Sequence, residues 1–519
     1  MRVRGKLLVA GEAEVTVRGV TYGTFRRRAD GTALPPRERV ERDLAAMAAA
    51  GVTAVRTYEP PPAWFLDDAL AHGLRVMVGL PWEQHVAFLG DRATARSIRR
   101  RVADGVRACA GHPAVLCYAV GNEVPAPIVR WHGHRAVEAF IERLAAVAKD
   151  EDPAGLVTYV NFPTTEYLRL PFLDLVCFNV YLAAARDLES YLARLHTIAG
   201  DRPLLMAELG LDSRRHGALE QARSLERQLD VTFAAGCAGA FVFAWTDEWH
   251  RGGFDVEDWD FGLVTRDRRP KPALAAVTRA FRRAADAEAD AAWPRISVVV
   301  CTHNGERWLP GCFDALERVR YPDWEVIVVN DGSRDRTDEL VRERGWRLVR
   351  SVDNIGLSAA RNLGWQAATG EIVAYLDDDA RPEPRWLRNL ARAFLRRPFA
   401  AVGGPNLPPP DDGFVASCVA HAPGGPAHVL LSDDVAEHVP GCNMAIRRDG
   451  LEAIGGFDPC FRIAGDDVDV CWRLQAEGLT VGFSPAAVVW HHRRNSVRAY
   501  LRQQFHYGRA EGLLERKWP

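Results

Sequence analysis

The chain has 519 residues, of which 48% are hydrophobic and 26% are charged, and its formal net charge at pH 7 is −2. A single hydrophobic core rarely serves a chain of this length, so we expect two soluble globular domains. The near-neutral charge balance gives no reason to expect nucleic acid as a partner.

The cysteines and the chain ends indicate a cytoplasmic protein. Cys117, Cys177 and Cys301 lie within apolar strand-like runs, and no cysteine pair has the C-x-x-C spacing of a metal site. We therefore expect reduced thiols. The first residues lack the apolar segment of a secretory signal, and no apolar run is long enough to span a bilayer. The sequence ends in helix-like RAEGLLERKWP, so we expect the natural chain to continue past residue 519, and any membrane association to come from there.

The first half of the chain alternates short apolar runs with longer stretches of helical periodicity. Eight runs have the character of buried parallel strands: 17–23, 52–58, 74–80, 115–123, 156–161, 173–181, 203–210 and 238–245. The stretch from Pro272 to Ala285 supplies an eighth helix. This alternation predicts a (β/α)₈ barrel over residues 1–285.

A second α/β pattern follows a short linker. Residues 286–294, DAEADAAWP, are small, acidic and end in proline, which is typical of a connection between domains. The runs ISVVVCT, WEVIVVN, WRLVRS and EIVAYLDDD then each precede a helical stretch. They predict an open, nucleotide-binding type of α/β sheet over residues 295–519.

Two glutamates occupy special positions in the predicted barrel. Glu123 ends the fourth strand after Asn122, and Glu208 ends the seventh strand in MAELG. In this fold the chemistry takes place at the carboxyl ends of the strands, so both side chains point into one mouth. One such glutamate is commonly only a helix cap. Two at these strands fit the paired carboxyl groups that cleave a glycosidic bond.

These motifs resemble a known family. GHPAVLCYAVGNE, FNVY, AELG and GLVTRDRRPKPAL are similar to the catalytic barrel of family 2 glycoside hydrolases. The resemblance implies a retaining mechanism with Glu123 as acid/base and Glu208 as nucleophile, about 5–5.5 Å apart. It also implies that Asn122 binds the sugar 2-hydroxyl, that Tyr181 orients Glu208, and that Arg56 holds its charge. No cofactor is implied for the barrel.

The end of the eighth strand carries further candidates. Trp245 is expected to form a platform under the scissile sugar, although ordinary core packing is an alternative. The segment after it, TDEWHRGGFDVEDWDFG, is rich in aspartate and tryptophan. Within it Asp247, Glu248, Trp249 and His250 either bind sugar hydroxyls or belong to a polar loop.

The second domain carries polar motifs at three successive strand ends. Thr302 and Asn304 follow the first strand, Asp331 follows the second, and the triplet 377–379 follows the fourth. Open α/β sheets bind ligands at this edge. Three adjacent aspartates repel one another and are typical of a site for Mg²⁺ or Mn²⁺. An isolated triplet could be a solvated turn, but the other motifs argue against that interpretation.

This stretch resembles family 2 glycosyltransferases of the GT-A fold, through VIVVNDGSRDRT, NIGLSAARNLGWQAATGEIVAYLDDDA and GCNMAIRR…GGFD…GDDVDVCWRL. The resemblance implies an inverting, metal-dependent transfer from a nucleotide-sugar, UDP by family habit, to an oligo- or polysaccharide acceptor. The implied roles are donor binding by Thr302, Asn304, Asp331, Arg361, Asp377 and Asp378, metal binding by Asp377 and Asp379, and general-base catalysis by Asp467.

Two departures qualify the resemblance. The family usually has Glu-Asp where this chain has Asp466-Asp467, and the Q-x-x-R-W signature of processive synthases is missing from RQQFHYGRAEG. We therefore expect transfer without polymer export. His491 either adds a metal ligand or belongs to a basic loop with Arg493 and Arg494.

Three functional hypotheses follow. The first is a bifunctional carbohydrate enzyme whose C-terminal domain builds a glycan that the barrel hydrolyses or rearranges by transglycosylation. In the second, the barrel only binds the acceptor glycan and the transferase alone is active. The third is a nucleotidyltransferase unrelated to sugars, for which CTHNGERWLPG is a poor phosphate loop.

Overall fold

The computed structural model describes residues 1–29, 31–286 and 292–518. The chain divides into two compact units, one of Met1–Leu195 with Arg202–Ala291 and one of His196–Asp201 with Ala292–Pro519. Most of the predicted linker, 286–294, lies outside the described residues, and its role as a linker stays a prediction.

In the described part of the first unit, eight parallel strands close into a barrel in which β4 pairs with β11. These strands are β4 Val17–Thr21, β5 Ala54–Thr57, β6 Arg75–Gly79, β7 Val115–Asn122, β8 Val157–Asn161, β9 Val176–Asn179, β10 Leu204–Leu209 and β11 Gly239–Val242. Each lies within one of the runs identified in the sequence. The predicted (β/α)₈ barrel is therefore confirmed.

Helices connect the barrel strands and cover them. They are α1 Arg37–Ala49, α2 Ala63–Ala71, α3 Arg92–Arg107, α4 Ala126–His132, α5 His134–Glu151, α6 Ala185–Ala199, α7 Ser213–His216, α8 Ala218–Ala234 and α9 Pro272–Asp286, with a 3₁₀ turn at Pro163–Thr165. α3 begins where the Asp91 carboxylate accepts hydrogen bonds from the backbone of Ala93 and Thr94, at 2.9 Å each. It buries Ile98 and Val102.

Short antiparallel strands accompany the barrel. β1 Arg2–Arg4, β2 Leu7–Ala10 and β3 Ala13–Val15 form a three-stranded sheet, and β12 His250–Arg251 pairs with β13 Phe254–Asp255. The second pair belongs to the loop after β11, at the carboxyl end of the barrel strands, so this loop reaches the predicted site.

The second unit is built on a seven-stranded mixed sheet in the order β16-β15-β14-β17-β23-β19-β24. Its strands are β14 Ile296–Thr302, β15 Trp324–Asp331, β16 Arg347–Ser351, β17 Ile372–Asp377, β19 Ala401–Gly403, β23 Asn443–Arg447 and β24 Val481–Phe483. β14 to β17 are parallel, whereas β23 runs antiparallel to β17 and β19. The predicted α/β architecture of this half is confirmed.

Smaller elements complete this unit. The remaining strands are β18 Ala380–Pro382, β20 Asn406–Leu407, β21 Val429–Leu430, β22 Ala436–His438 and β25 Val489–His491. The helices are α10 Leu309–Leu316, α11 Thr337–Glu343, α12 Leu357–Ala367, α13 Trp386–Arg396, α14 Phe414–Ala420, α15 Arg448–Ile454, α16 Asp466–Ala476 and α17 Val497–Lys517. β25 lies between β18 and β20, which brings His491 opposite Ala380, just after the aspartate triplet.

Two further sequence expectations concern thiols and membrane spans. None of the ten cysteines, all of which the structure describes, forms a disulfide, and Cys117 and Cys177 are buried as expected. Among the residues that the structure describes, no helix combines the length and apolar character needed to cross a bilayer.

Candidate active sites

Glu123 and Glu208 line one cavity of about 1150 Å³ in the barrel. Glu208 lies in β10, and Glu123 directly follows the last residue of β7. Arg56, Asn122 and Tyr181 line the same cavity, so the five residues predicted for this site, apart from Trp245, meet in one place.

The Glu208 carboxylate is held from three sides. Its Oε1 accepts hydrogen bonds from Arg56 Nη1 at 2.9 Å and from the Tyr58 hydroxyl at 2.8 Å. Its Oε2 accepts one from the Tyr181 hydroxyl at 2.6 Å. Glu208 is only 7% exposed, and Arg56 is 2% exposed. These donors fix the orientation of the side chain and stabilise its negative charge.

The surroundings of Glu123 differ from those of Glu208. Burial, followed by the negative charge of Glu208, raises its pKa above the ordinary value, while a hydrogen bond from Asn179 opposes the shift. That bond joins Asn179 Nδ2 to Glu123 Oε1 at 2.8 Å. Glu123 also has a φ of 50°, an unusual backbone conformation for a residue other than glycine. Such strain is often found at functional positions.

Asn122 and Asn179 connect the two glutamates. Asn122 Oδ1 accepts from Arg56 Nη2 at 2.8 Å and from Asn179 Nδ2 at 3.2 Å. Asn179 is the register partner of Glu208 across β9 and β10. The Asn122 side-chain oxygen already accepts these two hydrogen bonds. A hydrogen bond between Asn122 and a sugar hydroxyl therefore has to be donated by the Asn122 amide nitrogen.

The prediction for Trp245 is wrong. This residue is buried, with 1% of its surface exposed, and its backbone pairs with Thr21 and Val264. Trp249 and Phe243 line the cavity instead, with ring centroids 4.9 Å apart. β11 ends at Val242, so Trp245 no longer follows the strand and turns into the protein interior.

Most polar residues of the loop after β11 form internal ion pairs. Asp247 pairs with Lys271 at 3.0 Å, and Glu248 pairs with Arg268. His250 Nδ1 lies 2.7 Å from Asp255, although His250 also lines the cavity. These contacts favour a structural role for Asp247 and Glu248.

In the second unit, the strand-end residues meet at one edge but mostly bind one another. The Thr302 hydroxyl donates to Asp378 Oδ2 at 2.6 Å. The two oxygens of Asp331 accept from the backbone of Ile355 at 2.7 Å and of Gly356 at 3.0 Å. They therefore shape the loops at this edge, and their contact with a nucleoside stays a prediction.

Asn304 ties two of these loops together. Its backbone donates to the Ser333 hydroxyl at 2.8 Å, and its Oδ1 accepts from the Arg334 backbone at 2.9 Å. Its φ of 57° is a conformation that asparagine tolerates better than most residues. Its predicted contact with the donor is likewise untested.

Arg361 is buried but lines the same cavity as Asp377 and Asp467. It is 3% exposed, donates to Asp466, and lies 3.2 Å from Asp377 Oδ1. The rings of Tyr375 and Phe457 lie 5.8 and 5.6 Å from its guanidinium. The guanidinium thus holds two carboxylates at the edge of this cavity, and its predicted contact with the donor diphosphate is untested.

Asp467 faces a cavity of about 400 Å³ that Asp377 and His491 also line. Its Oδ2 accepts a hydrogen bond from the Gly441 backbone at 3.0 Å. An added Cβ at Gly441 would lie 2.5 Å from Arg361 Nη2, so a larger residue there would displace the guanidinium. The candidate base is thus fixed close to the candidate metal ligands.

The donor atoms of Asp377, Cys442 and His491 lie within 4.8 Å of one another. A carboxylate, a thiol and an imidazole in one place fit a divalent transition metal better than Mg²⁺, which prefers oxygen ligands alone. Asp379 lies beside this cluster, 3.0 Å from His491 Nε2. His491 Nδ1 lies 2.8 Å from Arg493 Nη1, which can only donate, so Nε2 donates to Asp379 here.

Comparison with known families identifies both halves of the chain. The model of the glycosyl hydrolases family 2 TIM barrel domain matches residues 1–285, which is more than half of the chain. The chain belongs to glycosyl hydrolase family 2. The glycosyl transferase family 2 model matches residues 297–455. The protein is thus a glycosyl hydrolase family 2 member that carries a family 2 glycosyltransferase domain.

Individual relatives match one half each. The Pre-mycofactocin glycosyltransferase of Mycobacterium tuberculosis is 28% identical over 233 residues, 43% of this chain and 48% of that protein. The Glucosyl-dolichyl phosphate glucuronosyltransferase of Haloferax volcanii is 30% identical over 220 residues, 38% of this chain and 69% of that protein. The Faecalibacterium prausnitzii Beta-glucuronidase superposes with a TM-score of 0.47 at 22% identity, covering 54% of this chain and 51% of that one. The chain therefore spans about half the length of the first and last of these.

The two family memberships make this a two-domain carbohydrate-active protein.

Sequence reasoning missed several residues of this glycosyl hydrolase family 2 protein. Tyr58 follows β5 directly, and Asn179 ends β9. Their position at a strand end could have identified both as candidates. Cys442 lies in the segment GCNMAIRR, but nothing marked it as a metal ligand, because it lies far in sequence from the triplet it approaches. The mixed sheet pairs β17 with β23, and β25 comes close to them by pairing with β18, which follows the triplet.

Proposed function

We propose that the C-terminal domain transfers a sugar from a nucleotide-sugar, a UDP-sugar by family habit, to a glycan acceptor with inversion. Asp467 removes the proton of the attacking acceptor hydroxyl, whose oxygen bonds to the anomeric carbon as the bond to the diphosphate breaks. Asp377, Cys442, His491 and the adjacent Asp379 would hold the metal. A divalent cation at this position neutralises the charge of the leaving diphosphate.

The observation that carries this proposal is the shared cavity. Asp467 lines the same space as Asp377 and His491, so a base for the acceptor and ligands for a metal face one volume. An inverting displacement needs both, on opposite sides of the reacting carbon.

A panel of nucleotide-sugars tests the proposal. Each is incubated with the full chain, with and without Mn²⁺, and release of the nucleoside diphosphate is followed. We expect metal-dependent turnover of one donor and its loss in Asp467→Asn, while that variant still binds Mn²⁺ in a calorimetric titration. Hydrolysis of a nucleoside triphosphate instead of every sugar donor would favour a nucleotidyltransferase.

We propose further that the barrel is a retaining β-glycosidase or transglycosylase. Glu208 attacks the anomeric carbon while Glu123 donates its proton to the leaving oxygen, which gives a covalent ester. Glu123, now a carboxylate, takes a proton from a water or a sugar hydroxyl, whose oxygen displaces Glu208. The raised pKa of Glu123 and the three donors around Glu208 support these roles.

The products of the full chain separate the two outcomes for the barrel. A linear β-linked oligosaccharide is incubated without any nucleotide-sugar, so that the transferase cannot contribute. Because Trp249 and Phe243 give the mouth an aromatic wall that suits a sugar acceptor, we expect products longer than the starting material. Products that are shorter only would reduce the proposal to hydrolysis. The variant Glu208→Gln should give neither.

A further inference from the structure

Helix α17 has one face fixed to its own domain. The Tyr500 hydroxyl donates to the Pro423 carbonyl at 3.0 Å, and Gln504 donates to the Gly424 carbonyl at 2.9 Å. Further along, Tyr507 and Leu514 line the cavity that contains Asp467. The helix is therefore anchored along its length, and its rotation about its own axis is set.

The adjoining face presents large apolar side chains to solvent. Val497, Leu501 and Phe505 are 67%, 60% and 64% exposed. They are spaced four residues apart, so they form one stripe along the helix. Scattered exposed hydrophobic residues are ordinary, but a continuous stripe of this kind indicates a contact surface.

Arginines flank this apolar stripe. Arg498, Arg502, Arg509 and Arg516 all belong to α17 and are exposed. Within residues 1–29, 31–286 and 292–518, none of the four makes an ion pair with an acidic side chain. Their charge is therefore free to interact with an external partner of opposite sign.

Apolar and basic side chains on the same exposed helix face have a specific meaning. A helix that lies in a membrane interface buries its apolar residues between the lipids and places its arginines at the headgroups. Anionic headgroups complement the positive charge, and each arginine near such a surface strengthens binding about fivefold. From Val497 to Arg509 the charged residues of α17 are all arginines, and the exposed Glu511 and Glu515 lie in its last turns, so the helix is basic where its apolar stripe lies.

We propose that α17 is an interfacial helix that docks the glycosyltransferase domain on an anionic membrane surface through Val497, Leu501, Phe505 and the flanking arginines. The cavity with Asp467 lies on the other side of the same helix, and Ile463, which is 58% exposed, also lines it. A consequence, which rests on the proposed transfer, is that the acceptor glycan is carried on a lipid and reaches Asp467 from the membrane.

Co-sedimentation with vesicles tests the docking. The full chain is mixed with vesicles of phosphatidylcholine alone, or with phosphatidylglycerol added to roughly one third of the lipid. We expect binding to the anionic vesicles that weakens as NaCl is raised, and much less binding to phosphatidylcholine. Absence of binding to the anionic vesicles would overturn the proposal.

Matched variants assign the binding to α17. Leu501→Gln with Phe505→Gln should reduce vesicle binding about tenfold or more, whereas Val352→Gln with Leu395→Gln, two exposed apolar residues on other elements, should not. Arg498→Gln with Arg502→Gln should reduce it about 25-fold, but Arg318→Gln with Arg320→Gln should reduce it much less. Equal effects of test and control variants would refute the assignment.

Two further readouts separate this proposal from its competitors. If size-exclusion chromatography with light scattering shows a dimer that Phe505→Gln dissolves, the face joins two copies of the chain and the membrane proposal is wrong. Release of nucleoside diphosphate from a sugar donor without vesicles tests the transferase by itself. Vesicle binding without donor turnover would thus leave the docking intact while refuting the proposed transfer.

Discussion

Replacement of Glu208 by glutamine tests whether the two barrel glutamates share one site. The substitution removes the negative charge that, after burial, is the second cause of the raised pKa of Glu123. Burial and the Asn179 hydrogen bond stay. We therefore expect the pKa of Glu123 to fall but to remain above its ordinary value.

The size of the fall follows from the expected spacing. Two unit charges about 5.5 Å apart, as in a retaining pair, repel by about 3 kcal/mol at an effective dielectric constant of about 20. One pKa unit corresponds to about 1.4 kcal/mol, so the full repulsion would shift the pKa by about 2 units. Because the cavity is open to water, we expect a shift of about 1 to 2 units.

Carbon NMR of glutamate labelled at the side-chain carboxyl measures this directly. The Glu123 signal is assigned by its loss in Glu123→Gln, and its pH titration is compared between the native protein and Glu208→Gln. Tyr181→Phe is the matched control, since it removes a hydrogen bond to Glu208 but keeps the charge, and it should shift the pKa much less. An unchanged or raised pKa in Glu208→Gln would refute the shared site.

Three further predictions follow from burial and charge. The pKa of Glu123 is higher in the folded protein than in the unfolded chain, so its ionisation lowers stability as the pH rises from the unfolded to the folded pKa. Glu123→Gln removes this cost and should stabilise the fold at pH 7. Chemical denaturation should show the gain at pH 7 and no gain at a pH below the ordinary glutamate pKa. Arg361→Met should destabilise the second domain by about 3–5 kcal/mol, because it leaves buried acidic groups unpaired. Arg342→Met removes an exposed ion pair and should cost less than about 1 kcal/mol. Denaturant unfolding measures both. Trp249→Ala should raise the KM of the barrel without lowering its melting temperature, because Trp249 lines the cavity. Trp245→Ala should lower the melting temperature, because Trp245 is buried. The reverse pattern would restore Trp245 as the sugar platform.

The architecture was predictable because buried parallel strands are continuously apolar. The run 115–123 contains β7, and ISVVVCT corresponds to β14 residue for residue. The end of β11 could not be located in the same way, since the apolar residues of AGAFVFAW continue beyond Val242. The sequence therefore predicted Trp245 as the aromatic residue of the cavity, whereas Trp249 lines the cavity in the structure.

Site residues with a fixed relation to a strand end were predictable, and partners chosen by tertiary packing were not. Glu208 and Tyr181 follow from strand position, and Tyr58 has a similar relation to β5, but its hydrogen bond to Glu208 depends on closure of the barrel, which sets β5 three strands from β10. Arg361 lies on a helix whose motif resembles a donor-binding segment. Its burial against Asp466 depends on packing between helices distant in sequence.

The central claim is that Glu208 forms a covalent bond with a sugar. The most direct measurement is mass spectrometry of the full chain after incubation with 2-deoxy-2-fluoroglycosyl fluorides, which trap the glycosyl-enzyme of a retaining glycosidase. We expect the mass of one fluoroglycosyl group on the peptide that contains Glu208, and no such mass in Glu208→Gln. Failure of every fluoroglycoside to label the native protein, or a label on another residue, would contradict it and favour a barrel that only binds the glycan.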